Sequence, residues 1–257
     1  MEIIRADTKN IEKVLERTLG KPELYAYVIY DIRKQINRTK IYLAVSDNKI
    51  EGFLLDYRDN GDIILDVHPF SVRAAEGLLN YIKENYSKAL IFIDKRYELL
   101  LDKILKLESK YYFYSMSVKP KSFKPFILPG CTLEKVECRP ESIPKKWKYV
   151  RDRIEDLLEG YILKHKGTPV AFGGYRVAEP EVFMLGSIYV DKKHRGKGYG
   201  KTITSLLVNN AFKKTKTVCL WVNIENEPAI AVYKKLGFKV DSIIAWGSLG
   251  FKLILKD

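Results

Sequence analysis

The sequence predicts an α/β protein, with an α+β mixed sheet in each of two tandem units. Three observations carry that expectation. Apolar runs of strand length alternate with stretches of helical periodicity. The order strand–helix–helix–hairpin–strand–helix–strand–helix–strand occurs twice, offset by roughly 125 residues, as a repeat of pattern rather than of identity. The chain has 257 residues, 46% of them apolar, so two domain-sized cores can be buried.

The elements follow in order. Ile3-Ile4 opens a strand. Thr8 to Leu19 reads as a helix, with Ile11, Val14, Leu15 and Leu19 at helical spacing and Gly20-Lys21-Pro22 ending it. Glu23 to Arg38 reads as a second helix. Ile41 to Val45 and Ile50 to Tyr57 form a hairpin around Asp47-Asn48-Lys49, and the turn signal Asp59-Asn60-Gly61-Asp62 leads into a strand from Ile63 to Val67. A helix from Ser71 to Glu84, a strand from Ala89 to Asp94, a helix from Tyr97 to Leu107 and a strand from Tyr111 to Val118 complete the first half. Lys119 to Gly130 carries Pro120, Pro125, Pro129 and Gly130 and reads as a linker, dividing the chain into 1–118, 119–130 and 131–257. The second half repeats the plan: strand Thr132 to Val136, a largely helical Ile143 to Leu158, hairpin Gly160 to His165 with Val170 to Val177, strand Phe183 to Val190, helix Lys197 to Lys213, strand Val218 to Asn223, helix Pro228 to Leu236, and a mostly β tail to Leu255.

Composition excludes several classes. No apolar run approaches the ~18 residues of a membrane span. Glu2, Arg5, Asp7 and Lys9 interrupt any secretory apolar stretch at the N-terminus. Three cysteines and three scattered histidines give neither a disulfide framework nor a zinc spacing. The expectation is a cytoplasmic, reduced, metal-free protein. The formal charge of +13 attracts polyanions, whether phosphorylated cofactors, nucleic acid or acidic proteins. A Lys-rich surface of thermophilic character is the alternative, consistent with a single glutamine, Gln35.

The segment that carries chemistry runs from Tyr189 to Lys201. A strand ends at Val190, a helix begins near Gly198, and between them glycines alternate with Arg195, Lys197 and Lys201. Such a turn offers backbone N–H groups and a helix N-terminus to an anion, and its glycines let the backbone approach without a β-carbon. The expected ligand is a pyrophosphate. The spacing of Gly196, Gly198 and Gly200 does not fit the dinucleotide pattern G-x-G-x-x-G, and Arg195 stands where a Walker A loop needs its first glycine.

Arg195-x-x-Gly198-x-Gly200 does match the acyl-CoA loop [QR]-x-x-G-x-[GA]. Downstream, Asn226-x-x-Ala229-x-x-x-Tyr233-x-x-x-Gly237-Phe238 matches a second element of the same family. Over roughly residues 130–250 the chain thus resembles the GCN5-related N-acetyltransferases (GNAT), and Ser187-Ile188-Tyr189-Val190 resembles the FR47-like branch. The resemblance implies acetyl-CoA as cosubstrate, with no metal, and transfer of acetyl to a primary amine by direct attack in a ternary complex. It further implies that Ile188, Tyr189 and Val190 offer backbone to the pantetheine arm. Arg195, Gly196, Lys197, Gly198, Tyr199, Gly200 and Lys201 would hold the pyrophosphate, and Asn226 would touch the cofactor. Tyr233 would be the general acid for the leaving thiolate. A phenol near pKa 10 stays protonated at neutral pH and suits a thiol near 8.5.

The strands Phe183 to Tyr189 and Val218 to Asn223 carry no carboxylate to act as general base. Glu155, Glu159, Glu225 or a water chain are the alternatives. Aligning Val67 with Val190 places Val72, Arg73, Ala75 and Gly77 where Arg195, Gly196, Gly198 and Gly200 stand, so one glycine of three survives. The first half then reads as a degenerate copy without a CoA loop, as in tandem members of the family. Lys110 to Tyr114 reads as a closing strand or as a base-stacking platform. Lys145-Lys146-Trp147-Lys148 reads as a solvated face with one anchoring Trp, or as a surface for nucleic acid or an acidic acceptor. The acceptor is a protein lysine or N-terminus, or a small amine. The alternative function is a non-catalytic acyl-CoA-responsive or nucleic-acid-associated protein.

Overall fold

A computed structural model describes residues 1–59 and 61–253. The chain divides into two compact units. Unit 1 holds residues 1–21, 27–114 and 242–257, and unit 2 holds 22–26 and 115–241. Each is a mixed sheet with helices, the predicted fold class.

In unit 1 the order is β1 (Glu2–Arg5), α1 (Thr8–Leu19), α2 (Ala26–Lys34), β2 (Thr39–Ser46), β3 (Lys49–Asp59), β4 (Asp62–Pro69), α3 (Val72–Asn85), β5 (Ala89–Asp94), α4 (Glu98–Ile104) and β6 (Leu107–Val118). Helix α2 is shorter than the expected Glu23 to Arg38. It ends at Lys34, and Ile36–Arg38 is a separate 3₁₀ turn. The hairpin of β3 and β4 keeps its register to Asp59 opposite Asp62; Asn60 of its turn signal lies outside the described residues. Leu54, Leu65, Val67, Leu78, Leu79, Ile82 and Ile91 are buried together between sheet and helices. Tyr112 packs against that cluster, so Lys110 to Tyr114 serves as a strand of the unit.

In unit 2 the elements are β7 (Cys131–Val136), a one-turn α5 (Lys148–Arg151), β8 (Glu159–His165), β9 (Thr168–Glu179), β10 (Val182–Val190), α6 (Tyr199–Ala211), β11 (Val218–Asn223), α7 (Glu227–Lys235) and the start of β12 (Lys239–Leu249). Its strand order is β6-β11-β10-β9-β8-β7. The expected long helix from Ile143 to Leu158 is a correction. Pro144 holds Ile143 before it in the extended conformation, and two 3₁₀ turns flank the single α-turn. The helical spacing still had a cause: Ile143, Trp147, Val150, Ile154 and Leu157 are all buried, in one cluster with Ile162 and Phe172.

The last strand returns to unit 1. From Ser242 onward the chain belongs there, and Ile244 to Leu249 pair antiparallel with Asp94 to Ala89 of β5. The expected β tail is described as strand to Leu249; its end at Leu255 lies outside the described residues. Residues 119–130 form no helix or strand, yet they are fastened to unit 2. Phe126 N donates to Ser205 Oγ at 3.0 Å and Leu128 N to Thr202 Oγ1 at 3.2 Å on α6.

Candidate functional site

The site is built where β10 and β11 part. These strands run parallel, with Phe183 opposite Val218 and Met184 opposite Cys219. Among the described residues the ladder goes no further. Leu185 to Val190 and Leu220 to Asn223 have no pairing across the gap. On its other edge β10 stays paired with β9 through Val190, but with two register shifts. The second, between Gly186 and Tyr189, sets three steps on β10 against two on β9. Inside that bulge Ser187 takes φ +54°.

Side-chain direction along β10 separates two faces. Tyr175 donates to Leu207 O of α6 at 2.7 Å, and the Phe183 ring lies 5.1 Å from that of Tyr175. Ile188 also points to α6, because a β-carbon on Gly173 would sit 2.5 Å from its Cδ1 and 3.0 Å from Leu207 Cδ1. Tyr189 faces the other way, its ring stacked 6.1 Å from Tyr149 and edge-on to Trp147. Cys219, partner of Met184, lies on this second face by strand alternation. The carboxylates of Asp241 and Glu23 are close enough to raise the Cys219 thiol, after the larger effect of its burial. Sequence reasoning did not find these two carboxylates beside β11, because they come from residues far apart in the chain.

The loop after β10 starts from a fixed point. Asp191 is buried and accepts hydrogen bonds from Trp147 Nε1 at 3.0 Å and Lys193 N at 3.1 Å, with Lys146 Nζ at 2.5 Å. These partners, led by Lys146, hold its carboxyl well below the usual range. Lys146 and Trp147 of the basic tetrapeptide are thereby committed to the fold. Gly196 at φ +76° and Gly198 at φ +88° turn the chain into α6. Gly198 is the N-cap and supplies no side-chain acceptor, so the first-turn N–H groups keep their hydrogen-bonding capacity. A β-carbon on Gly198 would meet Phe126 Cε1 at 3.1 Å, whereas none of the atoms around Gly196 lies within 4 Å.

Around this turn Arg195, Gly196 and Lys197 are exposed. Arg195 Nε donates to Val190 O, and Lys197 Nζ to Lys193 O, each at 3.3 Å. Lys201 lies over the Phe126 ring, 3.8 Å from its centroid. Tyr199 is buried, its hydroxyl 2.9 Å from His165 Nδ1 and its ring edge-on to His194 of the loop, 6.0 Å between centroids.

The second motif is chiefly a recipe for α7. Asn226 Oδ1 accepts from Ala229 N at 3.2 Å and caps the helix. At the other end Phe238 N reaches Tyr233 O and Gly237 N reaches Lys234 O, both at 3.0 Å, with Gly237 at φ +93°. This is a Schellman termination, and its apolar contact is the Tyr233 and Phe238 ring pair at 5.7 Å. The motif thereby fixes where Tyr233 stands. Its hydroxyl is pushed above the ordinary phenol range by burial and next by Tyr149.

The three glutamates open as bases are placed as follows. Glu159 is held by Tyr161 and by Lys135 at 3.0 Å. Glu225 is exposed, and Glu155 lies in the 3₁₀ turn before β8. Among the described residues no group of three His, Cys, Asp or Glu side chains is disposed to hold a metal ion, and no helix is long and apolar enough to cross a membrane.

Residues 129–238 match the model of the Acetyltransferase (GNAT) family. Over these residues, less than half of the chain, the sequence is similar to the GNAT family. It is 30% identical over 112 residues to an uncharacterised N-acetyltransferase of Methanocaldococcus jannaschii, a match covering 39% of this chain and 49% of that relative. It is 40% identical over 76 residues to the mycothiol acetyltransferase of Saccharomonospora viridis, covering 29% of this chain and 23% of that protein. The chain thus aligns with half or less of these relatives' lengths. The tandem GNAT protein of the clavulanic acid biosynthesis pathway, solved without AcCoA, superposes with a TM-score of 0.59 over 98% of this chain and 99% of that one. At 13% identity that likeness is one of fold, and it extends to both GNAT-like units.

Proposed function

We propose that unit 2 binds acetyl-CoA and transfers its acetyl group to the nitrogen of a primary amine, in one ternary complex. The observation that carries this reading is the parting of β10 from β11 after Met184 and Cys219, directly upstream of a glycine-capped helix start. An open strand edge offers N–H and C=O groups at Ile188, Tyr189 and Val190 to an amide-bearing arm. The N-terminus of α6, with Arg195, Lys197 and Lys201 nearby, offers an anion site with room at Gly196. The chemistry of these residues suits a CoA-like ligand, with Arg195 turned onto Val190 O at the edge of the gap.

In this reading Asp191 fixes the loop through the Lys193 N–H, so binding does not have to order it. The backbone of Gly196, Gly198, Tyr199 and Gly200 holds the pyrophosphate. Asn226 sets the start of α7 and thereby the reach of Tyr233. Tyr233, kept protonated by burial, gives its proton to the leaving sulfur. Glu23 and Asp241, whose charges reach Cys219, are the candidate carboxylates to receive a proton from the acceptor. The thioester is already activated, so holding the two reactants together supplies much of the rate.

Unit 1 supports a single site per chain. Its β4 and β5 are paired without a break from Ile64 opposite Leu90 to Val67 opposite Ile93, and β3 and β4 run together with no bulge. Helix α3 begins at Val72, and its N-terminus is already capped by Ser71 Oγ, 3.1 Å from Ala74 N. A zipped strand pair and a capped helix leave neither arm slot nor anion site.

Titration calorimetry with acetyl-CoA at moderate salt tests the reading, followed by a thiol-release assay against a panel of primary amines. Saturation at one site per chain and amine-dependent thiol release are expected. Absence of binding by folded protein overturns the proposal.

A further inference from the structure

We propose that the Ser187 hydroxyl donates a hydrogen bond to the carbonyl oxygen of the bound acyl thioester; this rests on the acetyl-CoA reading of unit 2. Three observations converge on this residue, to which the sequence resemblance assigns no role.

The first is its backbone. Four non-glycine residues have positive φ among the described residues: Asp47, Asn48, Lys166 and Ser187. Asp47 and Asn48 lie between β2 and β3, and Lys166 between β8 and β9, where tight hairpin turns call for that conformation. Ser187 stands inside a strand. A β-carbon at φ +54° is held there against its steric preference, although a glycine, Gly186, is its immediate neighbour. The bulge thus fixes a side chain at this spot.

The second is the side chain itself. Ser187 Oγ is buried and has no hydrogen-bond partner among the described residues. Three buried hydroxyls of α6 are used: Thr202 and Thr204 donate to backbone carbonyls, and Ser205 accepts from Phe126 N. An unmet buried hydroxyl in a native fold needs an explanation, and an acceptor on a bound ligand supplies one here. Ser115 and Ser242 also lack partners, but both have ordinary extended backbone and neither sits at the opening.

The third is position. Ser187 lies three residues beyond Met184, the last β10 residue paired with β11. A linear ligand anchored at Gly196 to Lys201 and laid along Val190 to Ile188 reaches the closed end of the gap with its reactive group. That group meets Ser187. A hydroxyl remains a neutral donor across the working pH range, and a carbonyl oxygen that gains charge during attack strengthens the bond.

The test needs no knowledge of the acceptor. Calorimetry compares acetyl-CoA with S-ethyl-CoA, a thioether of the same shape without the carbonyl, on the full chain and on Ser187→Ala. Loss of one hydrogen bond is expected to weaken acetyl-CoA binding about fivefold while S-ethyl-CoA changes less than twofold. Ser187→Gly, which relieves the backbone and removes the hydroxyl, is expected to give the same selective loss and stands in if the alanine variant does not fold. Unchanged acetyl-CoA binding in both variants overturns the inference, and so does equal weakening of both ligands, which would make Ser187 structural. In either case wild-type binding still supports the acetyl-CoA reading. Wild-type protein that binds neither ligand removes that reading, and this inference with it.

Discussion

Asp191 joins the segment before β8 to the start of the glycine-rich loop before α6, and its removal has a pH signature that can be worked out. The Trp147 indole N–H is buried with its acceptor, so this charged hydrogen bond contributes about 1.5–3 kcal/mol. Lys146 is 60% exposed, and solvent screening holds its ion pair to about 1 kcal/mol or less. Asp191→Asn keeps a neutral acceptor and is expected to cost about 1–2 kcal/mol at pH 7. Asp191→Ala also strands the indole N–H and is expected to cost about 3 kcal/mol or more. Because the folded carboxyl titrates below its unfolded value, its contribution is fully present above the unfolded pKa of about 4 and is lost as pH falls below it. Urea unfolding should therefore show a wild-type advantage over Asp191→Asn that is flat from pH 5 to 8 and shrinks below pH 4. A difference under about 0.5 kcal/mol, or one that does not change with pH, would refute the assignment of the low carboxyl to these contacts.

Three other predictions concern the ligand and the helix ends. Tyr233→Phe should lower turnover about 100-fold or more while acetyl-CoA affinity stays within about twofold; equal turnover would remove the general-acid role. Gly198→Ala forces a β-carbon into a left-handed position against Phe126 at 3.1 Å, costing about 1–2 kcal/mol, and calorimetry should show weakened acetyl-CoA binding; unchanged affinity would mean the turn is not the anion site. Ser71→Ala should cost unit 1 about 1 kcal/mol in urea unfolding and leave the acetyl-CoA stoichiometry at one, whereas a second site appearing or a stoichiometry of two would contradict the closed reading of that unit.

The loop and the α7 motif were legible because each is local. Glycines at 196, 198 and 200 declare a turn whatever surrounds them, and Asn226, Gly237 and Phe238 write a cap, a stop and a ring contact within one helix. The segment 143–158 shows the limit of such reading. Its apolar period gave the buried face correctly, yet prolines and packing divided the helix into turns.

The amino-acid sequence by itself determined the alternation of strands and helices, the duplicated pattern, the glycine turn before α6 and the cap and stop of α7. These follow from periodicity and from backbone freedom, which act over a few residues. Only the tertiary structure decided that β10 leaves β11 after two pairs while β4 and β5 stay zipped, that Ser187 is bent to positive φ, and that β12 pairs with β5. Strand pairing depends on which distant chain segment fills each edge, and no local pattern states it. The first half carries one glycine, Gly77, at the three aligned positions; that its helix start is also capped by Ser71 emerged when the backbone was in place.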